Sequence, residues 1–243
     1  MRSALLAALV LAACCPSAVA HTGTTTVTVS TADARSLRLV IEPLPEPALI
    51  PLRPQQRARC GNGEMLIGLE LASAPVTVDG AAQPRVRAFR LRCVEVSLTA
   101  GTVTFGAERM TEWRWLTGAS DASPEGSVEG LRCGARTAAV DVSLDYEQAG
   151  AEPRRGLRGA VLHCANVSSR TTGHGVLLWG EESASPSTQR MSAGGGLVAC
   201  GGVGLDQGPL TSVATGIAFV PEEGDEVGAS AIGPLCSTVT VSN

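Results

Sequence analysis

The chain contains no lysine; its 19 basic residues are all arginine. It is equally short of aromatics, with three Phe, three Trp and one Tyr in 243 residues, so any core must be built from small and β-branched side chains. There is no basic block, and the formal net charge is −4. Nucleic acid is therefore not expected as a partner, because phosphate neutralisation needs a clustered basic surface. Motifs for hydrolytic or phosphoryl chemistry are missing too: no Gly-x-Ser-x-Gly, no His-Glu-x-x-His and no Gly-x-x-x-x-Gly-Lys. The cysteines after residue 20 form no Cys-x-x-Cys pair of the zinc or redox kind. No window carries a capped helical stripe, and no apolar run is long enough to predict a transmembrane helix.

What is present begins with residues 1–20, which read as an export signal: Arg2, the apolar run Ala4 to Ala13, and the small-residue site Ala18-Val19-Ala20. Leu11-Ala12-Ala13-Cys14 offers a competing reading as a lipobox, with Cys14 lipidated and anchoring the chain. Cysteine parity favours cleavage before His21. That cut removes Cys14 and Cys15 and leaves an even set of six, suited to disulfides in an oxidising compartment. The expected location is secreted or periplasmic, with the lipoprotein as the alternative.

Those six cysteines mark an internal repeat. Cys60 to Cys93, Cys133 to Cys164 and Cys200 to Cys236 span 33, 31 and 36 residues. Each first cysteine is followed by glycine (Gly61, Gly134, Gly201), and each second by a valine and a hydroxyl residue (Val96-Ser97, Val167-Ser168, Val239-Thr240). Gly101 to Glu108 matches Gly175 to Glu182, aligning Phe105 with Trp179. The periodicity is that of strands: Thr24 to Ser30 and Ser237 to Ser242 alternate Thr or Ser with Val, and Phe89, Leu91 and Cys93 share one face. Six cysteines admit many pairings, and the repeat favours pairing within each copy. The expectation is a single all-β domain over 21–243 with three units, roughly 21–96, 97–167 and 168–243. A β-prism leads, with a β-trefoil or β-sandwich as alternatives.

Short motifs across most of 21–243 resemble vitelline membrane outer layer protein I. Cys60-x-x-Gly63-x-x-x-x-Gly68-Leu69 is similar to that family's repeat opening, and Leu157-Arg-Gly159-Ala-Val-Leu162-His-Cys164 to its closing strand. Trp113-x-Trp115 ahead of Cys133 resembles its paired tryptophans. The resemblance implies three Greek-key sheets about a pseudo-threefold axis, a coat-like role and carbohydrate handling. Three departures stand: Asp141 where Gly68 would fall, an insertion between Cys200 and Gly216, and no proline after the first cysteines.

Candidate sites are few. Trp113, Trp115 and Trp179 could stack on sugar rings, Trp113 and Trp115 sharing one side of a strand by their spacing. Trp179 aligns with Phe105 and is expected to point into the core. His21, if it becomes the N-terminus, could chelate copper through its amine and imidazole together with His163 or His174. A frayed terminus explains His21 more simply. The acidic turn Pro221 to Glu226 could supply calcium oxygens, though a solvated hairpin tip accounts for it. Asp145 with Glu147 is the nearest thing to a glycosidase pair, and nothing singles it out. No cofactor is implied. The residues favour a non-catalytic binding or surface-coat protein, with glycans or cell-surface components as partners. A polysaccharide-active enzyme and an inhibitor-like interaction protein remain as alternatives.

Overall fold

The computed structural model describes residues 37–45, 55–78, 80–99, 101–116, 126–146, 157–172, 175–182, 200, 207–221 and 229–242. His21, His174, Cys14, the Thr24 to Ser30 run and the acidic turn after Pro221 lie outside them.

Every regular element among the described residues is a strand: β1 (Arg38–Pro43), β2 (Gln56–Arg59), β3 (Glu64–Val78), β4 (Ala81–Thr99), β5 (Thr102–Met110), β6 (Arg114–Trp115), β7 (Ser127–Arg132), β8 (Thr137–Tyr146), β9 (Leu157–Thr172), β10 (Gly175–Glu182), β11 (Gln207–Pro209), β12 (Ser212–Pro221) and β13 (Ala229–Ser242). They form three antiparallel sheets, ordered β5-β4-β3-β7 with β6 also on β4, β11-β10-β9-β8, and β1-β13-β12-β2. We call them the first, second and third sheets.

One local design recurs. Cys60 and Cys133 lead directly to a strand of the next sheet, Cys200 does so after β11, and each second cysteine lies on that strand's hairpin partner (β3–β4, β8–β9, β12–β13). The disulfides are Cys60–Cys93, Cys133–Cys164 and Cys200–Cys236, with Cα separations of 5.6, 5.6 and 5.4 Å, which is the pairing within copies expected from the repeat. Closing a loop of this length contributes about 4 kcal/mol in the chain-entropy model. Next to each second cysteine the ladder shifts by one residue, at Leu66/Gly68, Ala139/Asp141 and Ala214/Gly216. The backbone N–H groups of Cys60 and Cys133 donate to the bulged residues' carbonyls, Thr215 and Ile67, both at 2.8 Å. The valines three residues past the second cysteines also match: Val96 donates to Gly63, Val167 to Arg136 and Val239 to Thr211.

The bulges place the sequence departure at Asp141. A Cβ on Gly216 would sit 2.3 Å from the Ala58 carbonyl on β2, and one on Gly68 2.9 Å from the Leu131 carbonyl on β7. Asp141 holds the equivalent bulge position on β8, the last described strand of its sheet.

The core has two parts. The first collects Leu66, Leu69, Leu71, Phe89, Leu91, Leu131, Val142, Leu162, Ile217, Phe219 and all three disulfides; Phe89 and Phe219 meet edge to face at 5.3 Å. The second holds Met65, Ile67, Val94, Val96, Leu98, Val103, Val167, Val176, Leu178, Val213, Val239 and Val241. On each long strand one parity faces the first core and, beyond the changeover, the other parity faces the second. Both faces are therefore buried at Met65-Leu66-Ile67, Cys93-Val94, Ala138-Ala139 and Val213-Ala214. All three sheets contribute to both cores. The fold is a β-prism.

Candidate functional site

The strand β4 alternates at its middle: Phe89, Leu91 and Cys93 point into the first core, so Arg90 and Arg92 point away from it. Glu70 is the register partner of Arg90 on β3, and it joins both arginines. Arg90 Nε donates to Glu70 Oε2 at 2.8 Å, and Arg92 Nη2 donates to Glu70 Oε1 at 3.0 Å. Arg92 also reaches Glu108 on β5 at 3.3 Å, and Arg132 on β7 bonds the other oxygen of Glu108. Arg132 and Glu108 stand on opposite outer strands of this sheet, with Gly68 between them opposite both Arg92 and Arg132. A side chain at Gly68 would occupy the path between them. These half-exposed ion pairs add little to stability; their effect is to hold the guanidinium planes in place.

Trp113 is set against that network. The chain continues past β5 along β4, with Thr111 N–H bonded to the Leu91 carbonyl and Leu116 N–H to the Arg87 carbonyl, each at 2.9 Å. Leu116 is buried in the first core and anchors the segment. The Arg90 guanidinium carbon lies 4.6 Å from the Trp113 ring centroid, within cation–π range. Trp115 pairs with Ala88, two residues from Arg90 and so on the same face of β4. Ala88 is fully buried although its parity points outward. Trp113 and Trp115 are themselves half-buried.

Trp179 is a correction to the sequence reading. The expected match to Phe105 fails by one residue, because β5 carries a bulge against β4 between Val94 and Val96 that β10 lacks against β9. Phe105 pairs with Val96 and packs on the second core, whereas Trp179 pairs with Ser168, the equivalent of Ser97. Trp179 therefore takes the place of Thr104 and lies on the face away from that core, which Val176 and Leu178 enter. The Arg170 guanidinium carbon is 3.9 Å from the ring centroid, and Arg170 donates to Glu181 at 2.8 Å. The neighbouring Leu177 is 37% exposed.

Of the metal candidates, His163 lies half-buried on β9 opposite Asp141. Cys60, Glu64 and Cys93 bring potential ligand atoms together, but both sulfurs belong to a disulfide and cannot ligate as thiolates. Glu64 instead binds Arg109 through two hydrogen bonds of 2.5 and 2.6 Å and accepts the Gly61 N–H at 2.5 Å. Burial raises its carboxyl pKa, yet the hydrogen bonds from Arg109 and Gly61 and the nearby positive charge outweigh that and hold it below the ordinary value. Asp145 lies on β8, and its notional partner Glu147 falls outside the described residues. Asn166-Val167-Ser168 is a formal N-glycosylation sequon, and its Asn166 is exposed on β9.

No family model matches the chain, and no curated protein does. Two solved structures are similar to it. One is a prostate-specific WGA16 glycoprotein lectin, at 10% identity and a TM-score of 0.38. The other is the agglutinin of Calystegia sepium, at 11% identity and a TM-score of 0.37. Each comparison covers 81% of this chain and 96% of the other. No described helix is long and apolar enough to cross a membrane.

Proposed function

We propose that this chain is a secreted, non-catalytic glycan-binding or surface-coat protein whose ligand platform is the outward face around Trp113 and Trp115. The observation that carries the reading is Trp113 braced by Arg90, itself held by Glu70. A pyranose ring presents an apolar C–H face and a rim of hydroxyls. An indole supplies the surface for the first, and fixed guanidinium and carboxylate groups supply donors and acceptors for the second. Because Glu70 and Glu108 already orient the arginines, little side-chain ordering is left to oppose binding. The lectins among the structural neighbours agree with this assignment at the level of fold. Kinship with vitelline membrane outer layer protein I is part of the same proposal, since an arrangement of three sheets is what that resemblance implies. Three disulfides suit an oxidising, extracellular location.

A glycan array of the secreted protein, backed by affinity electrophoresis on soluble polysaccharides, tests the proposal. Trp113→Ala is expected to weaken binding about tenfold or more, given roughly 1–3 kcal/mol for a lost aromatic stacking or hot-spot contact, and Trp115→Ala to weaken it less. Absence of any glycan hit, or affinity indifferent to both changes, refutes it. Mass spectrometry of the mature N-terminus separates a start at His21 from a lipidated Cys14.

A further inference from the structure

We infer that the protein carries a second glycan platform at Trp179 and is therefore bivalent. The inference rests on the reading of Trp113 as a sugar-stacking residue, and it comes from a different sheet. The same three parts recur there: an outward indole, an arginine over its ring at 3.9 Å, and a glutamate, Glu181, holding that arginine at 2.8 Å. Leu177 and Pro209 flank Trp179, Leu177 preceding it on β10 by two residues and Pro209 opposite it on β11. Leu177 is 37% exposed and Pro209 is exposed as well, so the indole sits in an apolar strip on a face otherwise lined by Ser168 and Arg170.

A second observation is independent of the stacking. The indole Nε1 of Trp179 is shielded from water and finds no hydrogen-bond acceptor among the described residues. A buried donor without a partner is uncommon and unfavourable. Arg170 is half-exposed and long, so its side chain can swing from the ring at small cost. A saccharide entering there would stack its C–H face on the indole and accept the indole N–H with a hydroxyl.

The two platforms share no strand and no residue. Trp113, Arg90 and Glu70 are backed by the first core; Trp179, Arg170 and Glu181 are backed by the second. Neither is the repeat copy of the other, because Arg90 precedes its cysteine by three residues and Arg170 follows Cys164 by six. A polymer with repeated sugar units can engage both, on one chain or on two. The outcome is cross-linking and avidity, without any new contact.

The probes are glycol chitin, laminarin, hydroxyethylcellulose, dextran and galactomannan, with electrophoretic retardation reporting binding and light scattering reporting cross-linking. For a polysaccharide that retards the wild type, scattering should rise near equivalence. Trp113→Ala and Trp179→Ala should each keep a weakened retardation while abolishing the rise, and the double variant should lose both. Arg170→Ala, which leaves the indole in place, should weaken cross-linking with an unchanged near-ultraviolet spectrum and disulfide map. Trp179→Ala and Arg170→Ala that both cross-link like the wild type overturn the second site. So does Trp113→Ala that abolishes all retardation, and in both cases the platform at Trp113 stands. Failure of the wild type to bind any of the five overturns the glycan reading and this inference with it.

Discussion

The bulge positions give a sharp test of how the sheets pack. Gly216 and Gly68 occupy one structural position in two sheets, and the space beside them differs. Alanine at Gly216 would put a Cβ 2.3 Å from the Ala58 carbonyl oxygen and 2.9 Å from the Arg59 Cα, both backbone atoms. Ordinary contact needs close to an ångström more, so β2 must lift off β12, taking with it the Cys60 N–H bond to Thr215. We expect about 3 kcal/mol of destabilisation, the upper end for overpacking, since the obstacle is backbone and cannot rotate aside. At Gly68 the nearest atoms are the Leu131 carbonyl at 2.9 Å and the Arg92 Cβ at 3.0 Å, a shortfall of a few tenths of an ångström. The expected cost is about 1–2 kcal/mol. Equilibrium unfolding in guanidinium with disulfides intact measures both, and about 3 kcal/mol corresponds to a melting shift of roughly 6–12 °C for a chain of this size. A Gly216→Ala protein as stable as the wild type, or a Gly68→Ala protein less stable than Gly216→Ala, would refute the reasoning.

Two further predictions concern the turns after the first cysteines. Arg136 has φ +61° and Gly63 φ +75° at matching positions, so Arg136→Gly should stabilise by about 0.5–1 kcal/mol, and Gly63→Ala, whose Cβ meets nothing within 4 Å, should destabilise by about 1 kcal/mol through backbone strain alone; melting curves of the two variants should move in opposite directions. The Glu64 carboxyl has a lowered folded-state pKa, so its contribution is fully present above the unfolded value and is lost as pH falls through the folded one. Glu64→Gln should accordingly flatten the decline in stability on the acid side, and an acid limb unchanged by that substitution would remove Glu64 from the account.

Much of the scaffold was legible in the sequence because cysteine spacing and the valines that follow impose themselves locally. Val96, Val167 and Val239, which the repeat aligned, all enter the second core. The alternation of Phe89, Leu91 and Cys93 marked an inward face and thereby, unread, the outward Arg90 and Arg92. What stayed hidden depends on register. A bulge changes the face of every residue beyond it, and the one in β5 is why Trp179 faces outward despite matching Phe105. The changeover between two cores was equally invisible, since Cys93-Val94 or Ala138-Ala139 reads as a break in alternation when it is a strand passing between two interiors. The partners of Arg90 and Arg132 come from other strands, so only the sheet order could assemble them.

The third sheet joins segments far apart in the sequence: β1 and β2 come from residues 38–59, and β12 and β13 from residues 212–242. A tandem array can begin to fold from whichever copy forms first, but a sheet assembled from both flanks of that array cannot be finished early. Gln56–Arg59 waits for Gly216–Phe219, and so its pairing edge is unsatisfied until β12 has formed. Pairing across so long a stretch of chain is slow, so the third sheet is the one that closes last.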